Sequence, residues 1–218
     1  DADYTLEPPS SPLGRFGSDI APAGDVNADG YDDFLVAEYD DSAGGGNLSA
    51  AAHLYLGGST PETTAEATYT TQTDNMGVAD LNANAPSVSG AGDVDGDGYA
   101  DFLVGIPSYN SNDGRVLLFA GGASPGGTPT PALTIDGESS DWGLGTAVAA
   151  AGDVNADGYA DFLVGSLNRE ALLYFGSPDL SELESLHFSA PYVEASRFGD
   201  TLSGLGDFTG DGYDDIVI

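Results

Sequence analysis

The chain has 218 residues, 40% of them hydrophobic, and carries 36 acidic side chains against four arginines and no lysine, a formal charge of −32. Such a charge repels polyanions, which excludes nucleic acid and a bare anionic membrane as partners and leaves cations or cationic surfaces as the natural counterparts. No cysteine is present to staple the fold, and no apolar run approaches the roughly 20 residues of a membrane span, so direct membrane insertion is not expected.

Thirty-two glycines and 12 prolines are spread along the whole length, which predicts many short strands, tight turns and few helices. In chain order, a stretch around Tyr4 to Glu7 reads as an outer strand. A small-residue strand at Ile20–Gly24 then leads into an acidic loop, Asp25-Val-Asn-Ala-Asp-Gly-Tyr-Asp-Asp33, which feeds the apolar run Phe34–Ala37. A third strand follows at Ala52–Leu56 and a more polar fourth at Ala67–Thr71. The order recurs three times: Val88–Gly92, the loop from Asp93, Phe102–Ile106, Val116–Phe119 and Ala132–Ile135; then Val148–Gly152, the loop from Asp153, Phe162–Gly165, Ala171–Phe175 and Leu186–Phe188; then Leu202–Gly206 and the loop from Asp207. The loop starts lie 68, 60 and 54 residues apart. That spacing suits one four-stranded sheet per repeat with variable loops, and is too loose for a solenoid. Continuous apolar runs suit a strand buried on both faces, and polar fourth strands suit an edge.

The fold class implied is all-β: a β-propeller of four-stranded antiparallel blades, about three and a half in this chain. Residues 1–15 would supply an outer strand to a neighbouring blade, 16–74, 75–141 and 142–197 three whole blades, and 198–218 an incomplete fourth. A partial ring exposes sheet edges and an apolar blade face. The expectation is therefore a homodimer that completes the ring, or the remainder of a longer chain.

The order Phe-Gly, then Gly-Asp-Val-Asn-x-Asp-Gly-Tyr-x-Asp-Phe-Leu-Val-Gly, resembles the FG-GAP repeat of integrin α-subunit propellers and related bacterial surface proteins. The Phe-Gly slot holds Phe16-Gly17 and Phe198-Gly199, but Leu144-Gly145 and Asn84-Ala85 in the middle repeats; the trailing Gly-Ala-Pro slot survives best as Gly105-Ile106-Pro107. The resemblance implies a closed seven-bladed ring.

Oxygen-bearing side chains stand at positions 1, 3, 5 and 9 of every loop. They are Asp25, Asn27, Asp29 and Asp33; Asp93, Asp95, Asp97 and Asp101; Asp153, Asn155, Asp157 and Asp161; and Asp207, Thr209, Asp211 and Asp215. Alternation at 1, 3 and 5 curls the chain around one centre, the glycine at position 6 supplies the turn, and the tyrosine at 7 (Tyr31, Tyr99, Tyr159, Tyr213) offers its carbonyl. Six or so hard oxygens suit Ca²⁺, about four per chain, better than Mg²⁺, which keeps several waters. An EF-hand needs a bidentate glutamate at position 12, where Val36, Val104, Val164 or Ile218 stands. Thirteen of the 36 acids occupy these slots, and four Ca²⁺ would bring the charge to −24. Binding and folding are expected to be coupled, with the four-aspartate second loop tightest and the Thr209 loop weakest. Extracellular modules bind calcium at about 10⁻⁴ to 10⁻³ M, which points to a secreted or cell-surface location.

No Gly-x-Ser-x-Gly, His-Glu-x-x-His, phosphate loop or Asp-x-Ser-x-Ser metal-adhesion motif occurs, and His53 and His187 read as structural. No enzyme is expected; the alternatives are the propeller portion of a polysaccharide-acting enzyme and a purely structural self-assembling module. The favoured reading is an adhesion or recognition scaffold, with a protein or glycan ligand on the loop face. Its loops would be Glu38–Asn47 and Ser108–Gly114, and Tyr39, Tyr109 and Trp142 would offer ring faces for stacking. The scarce Arg15, Arg115, Arg169 and Arg197 are expected in specific ion pairs.

Overall fold

The computed structural model describes residues 4–6, 8, 15–39, 50–60, 63–71, 85–126, 130–138, 143–181, 183–190 and 197–218. Three antiparallel four-stranded sheets follow one another. They are β1 (Asp19–Gly24), β2 (Asp33–Tyr39), β3 (Ala50–Tyr55) and β4 (Ala67–Thr71); β5 (Ser87–Gly92), β6 (Asp101–Ile106), β7 (Arg115–Phe119) and β8 (Leu133–Asp136); and β9 (Ala147–Gly152), β10 (Asp161–Ser166), β11 (Glu170–Tyr174) and β12 (Ser185–Ser189). A two-stranded sheet, β13 (Ser203–Gly206) and β14 (Asp215–Val217), comes last. The only helix among the described residues is the single turn Tyr109–Asn112. Each sheet runs in sequence order and its first strand lies beside the first strand of the next, β1 to β5 to β9 to β13, as blades around an axis do. The sheets are therefore propeller blades.

Residues of two faces fasten neighbouring blades. Leu35, Ala52, Leu54 and Tyr69 of the first blade bury themselves against Phe102, Val104, Leu117 and Phe119 of the second, with Tyr69 edge-on to Phe102 at 5.1 Å. The opposite face of the second blade, Leu103, Val116 and Leu118, meets Phe162 and Val164 of the third. This explains why β6 and β10 are apolar without alternation: each is sandwiched between two blades and buried at every residue. Each such Leu or Phe contributes about 2 kcal/mol by leaving water. The fourth strands form the outer edge of each sheet: β12 is exposed at every residue but the half-buried Phe188, whereas Ala67 and Tyr69 of β4 turn into the core.

The last blade differs. Leu205, Phe208 and Val217 are exposed, Phe208 by 79%, whereas their counterparts Ala23, Val26 and Leu35 in the first blade are fully buried by the blade that follows.

Strand β2 runs through Glu38 and Tyr39, which the sequence reading placed in a loop; residues 40–47 of that loop, Trp142 and Asn84 lie outside the described residues. Of the outer strand expected in 1–15, the described residues 4–6 lie outside the named strands.

Candidate metal centre

Every acidic loop joins the first strand of its blade to the second. A glycine in the left-handed region, Gly24, Gly92, Gly152 or Gly206, ends the first strand at a register shift and turns the chain outward. Two further left-handed residues shape the loop. One is the glycine at position 6, with φ between 92° and 94°, as the sequence requires. The other, at position 4, went unread: it is Gly96 or Gly210 in two loops and, against the preference of L-residues, Ala28 (φ 56°) or Ala156 (φ 59°) in the others.

Loop 2 shows the geometry. Asp93 accepts hydrogen bonds from the backbone N–H groups of Asp97 and Gly98, both at 3.0 Å, Asp95 from Asp97 at 3.1 Å, and Asp97 from Tyr99 at 3.0 Å. These bonds curl the loop upon its own carboxylates. Loop 3 repeats them through Asp153, Asn155 and Asp157, with Tyr159 N–H donating to Asp157 at 3.0 Å. Loop 1 does so through Asp25, Asn27 and Asp29, with Tyr31 N–H donating at 3.0 Å. The amide of Asn27 or Asn155 reaches the next aspartate, Asp29 at 3.1 Å or Asp157 at 2.8 Å, an attraction that replaces one repulsion of the all-aspartate loop.

Position 9 does more than its place in a donor list suggests. Asp33, Asp101 and Asp161 are buried at the start of the second strand. One oxygen of each accepts from position 2 of its own loop, Val26, Val94 or Val154, at 2.8 Å. The other accepts from the glycine two residues past the third strand: Gly57 at 2.7 Å, Gly121 and Gly176 at 2.8 Å. The carboxylate thus pins the loop to the blade. Nothing local to that glycine marks it as a donor, because its acceptor lies 15 to 24 residues earlier in the chain.

Burial pushes the carboxyls of Asp33, Asp101 and Asp161 up from the ordinary range, against the pull of those backbone donors, and Asp101 reaches about 7. Burial also raises Asp95, with Asp97 adding to it. In loop 2 a carboxylate oxygen from each of Asp93, Asp95 and Asp101 comes within 4.8 Å of the others. Three crowded anionic oxygens, one of them desolvated, fit a hard divalent cation that supplies the missing positive charge.

Loop 4 keeps the curl but not the anchorage. Asp207 accepts from Gly210 (2.7 Å), Asp211 and Gly212 (both 3.0 Å), and Tyr213 N–H donates to Asp211 at 3.1 Å. Asp215 accepts from Thr209 N–H at 2.9 Å, one position later than in the other loops, and Thr209 is exposed.

The remaining candidates are held by packing and ion pairs. Tyr109 joins the core edge, with the Arg115 guanidinium 3.7 Å from its ring centre, while Arg115 also makes a bidentate pair with Asp136. Arg15 lies over Tyr39 at 5.4 Å, and Arg197 reaches Asp200 at 3.7 Å. His53 is structural as read: fully buried, it bonds Glu38 and Thr68, both at 3.0 Å. His187 stands on the exposed β12.

An array of antiparallel blades, each with an aspartate-rich loop between its first two strands, defines a propeller with acidic loops at its strand junctions. Residues 93–164 match the FG-GAP-like repeat model, and the chain is similar in sequence to integrin α chains. Integrin alpha-IIb of Mus musculus is 35% identical over 141 residues, and that of Homo sapiens 33%. Each alignment covers 58% of this chain and 14% of the relative. Integrin alpha-PS2 of Drosophila melanogaster is 35% identical over 149 residues, 58% of this chain and 10% of the relative. The chain thus corresponds to a small part of these relatives' length.

Proposed function

We propose that this chain is a calcium-binding propeller module of a secreted or cell-surface protein that serves as an adhesion or recognition scaffold, not as an enzyme. The observation that carries the reading is the convergence of Asp93, Asp95 and Asp101 in a loop whose curl recurs in all four repeats. The ligands would be the side chains at positions 1, 3, 5 and 9 and the carbonyls of Tyr31, Tyr99, Tyr159 and Tyr213. Calcium supplies charge compensation and fixes the loops; the chain's residues supply oxygens and hold them in place. Similarity to integrin α chains supports an adhesive role and a location outside the cell.

Self-association accompanies this reading. The uncovered Leu205, Phe208 and Val217 support a second copy, or further blades of a longer chain, packing on the last sheet. Equilibrium dialysis should find about four calcium ions per chain and sedimentation a dimer. Fewer than one bound ion at millimolar calcium would overturn the metal reading, and a monomer at every concentration the self-association.

A further inference from the structure

The acidic loops are bonded to one another across the blades. Ala100 N–H donates to the Asp25 carbonyl at 3.1 Å, Ala160 N–H to that of Asp93 at 3.0 Å, and Asp214 N–H to that of Asp153 at 3.1 Å. Position 8 of one loop therefore grips position 1 of the loop before it. A second bond braces each of the first two junctions: Gly122 N–H to the Val26 carbonyl at 2.8 Å and Ser177 N–H to that of Val94 at 2.9 Å. At the third junction the Asp214 side chain accepts from Asp153 N–H at 2.9 Å. The loops also touch: a Cβ on Gly24 would lie 2.8 Å from that of Ala100, and one on Gly92 2.6 Å from that of Ala160. Neither loop can shift at such a junction without moving its neighbour.

The same peptide units serve both purposes. The N–H of Ala100 belongs to the peptide whose carbonyl is Tyr99, the backbone donor assigned to loop 2. The carbonyl of Asp25 belongs to the peptide whose N–H is Val26, donor to Asp33 of loop 1. A continuous line thus runs from the Asp33 carboxylate through peptide 25–26 to peptide 99–100. The pattern repeats from Asp101 through 93–94 to 159–160, and from Asp161 through 153–154 to 213–214.

We infer that the four loops bind calcium cooperatively, each filled loop raising the affinity of its neighbours through these shared peptides. The inference rests on the calcium reading above. Fixing the Tyr99 carbonyl in loop 2 also fixes Ala100 N–H on Asp25, so the neighbouring loop binds with part of its ordering already done. Polarisation along a chain of hydrogen bonds adds in the same direction at the junction. Through-space charge opposes it, because an ion in one loop weakens the field that draws an ion to the next.

A double variant separates the two effects. Loop 2 has four aspartates, so Asp95→Asn with Asp97→Asn and no calcium leaves the same formal charge there as the native loop with calcium. The formal field at loops 1 and 3 is then matched, and only the ordering that a bound ion imposes on the bonded line differs. Calcium titrations followed by NMR at the position-6 amides report each loop separately: Gly30, Gly98, Gly158 and Gly212. With Gly98 silent, Gly30 and Gly158 are expected to titrate about fivefold or more weaker than in the native chain, and Gly212 to change less. Exchange of the Val26 and Ala160 amides should quicken at a calcium level that protects them in the native chain.

Unchanged affinities at Gly30 and Gly158 would overturn the inference while leaving the calcium reading intact. In the native chain the same amides should titrate with Hill coefficients above one, which decides the matter if the variant does not fold. Coefficients of one or below would overturn cooperativity. No response at any of the four amides would overturn both it and the calcium reading.

Discussion

Loops 2 and 4 carry the same motif and nearly the same curl, yet they sit in different surroundings. In loop 2, Asp101 is fully buried and held by Val94 and Gly121, and the third blade's Ala160 grips Asp93. In loop 4, Asp207 is exposed and Asp215 half-buried, and among the described residues no third-strand glycine reaches Asp215. The motif supplies the oxygens and the turn. The next strand of the blade and the next blade of the array decide whether the ninth carboxylate is desolvated and anchored.

The sharpest way to break this comparison is to remove the ninth carboxylate at both places. Asp101→Ala leaves two backbone N–H groups without acceptors in a buried setting and should cost about 3 kcal/mol in urea unfolding without calcium. Asp215→Ala frees one N–H beside solvent and should cost under about 1 kcal/mol. Equal losses would contradict the role given to burial. Gly121→Ala comes next. Its Cβ would meet the Ala100 carbonyl at 2.5 Å and the Tyr99 Cβ at 2.7 Å, so about 2 kcal/mol should be lost, whereas Gly212→Ala, with open space around it, suffers only from its left-handed backbone.

A pH experiment extends the comparison to the first blade. His53 faces Val36 across the ladder where the second and third blades place Leu117 and Leu172 opposite Val104 and Val164. Burial lowers the His53 pKa below its ordinary 6.5 more strongly than Glu38 raises it. The folded chain therefore holds the ring neutral while the unfolded chain takes a proton. The stability this confers is complete above about pH 6.5 and is lost progressively as pH falls below it. At saturating calcium, the double variant Glu38→Ile, His53→Leu, which copies the Ile106 and Leu117 of the second blade, should lose less stability than the native chain between pH 7 and 5. Parallel profiles would remove His53 from the account.

The smallest effect concerns position 4. Ala28→Gly and Ala156→Gly relieve a left-handed alanine and should each stabilise by about 0.5 kcal/mol, while Gly96→Ala should do the reverse; matched urea midpoints are the measurement.

Much of this molecule was legible because its repeats are local. The apolar runs from Phe102 and Phe162 are strands sandwiched between blades, and the loops beginning at Asp25, Asp93, Asp153 and Asp207 fold upon their first aspartates. What stayed hidden involves partners distant in the chain. Gly121 donates to Asp101 from 20 residues away, and Ala100 reaches Asp25 in another blade. The apolar run ends at Ala37, so the sequence alone places Glu38 in the loop that follows. Its burial makes sense only once His53, 15 residues on, stands beside it to bond it. Position 4 escaped because alanine gives no sign of a left-handed backbone.

If calcium holds the aspartate loops, the stability of the blades depends on it. Calorimetric melting with excess EDTA and then at 10 mM calcium tests it most directly. Several filled sites, each contributing about 1 to 3 kcal/mol, should raise the midpoint by roughly 10 °C or more for a chain of this size, with magnesium giving far less. Superimposable melting curves in EDTA and calcium would contradict the account.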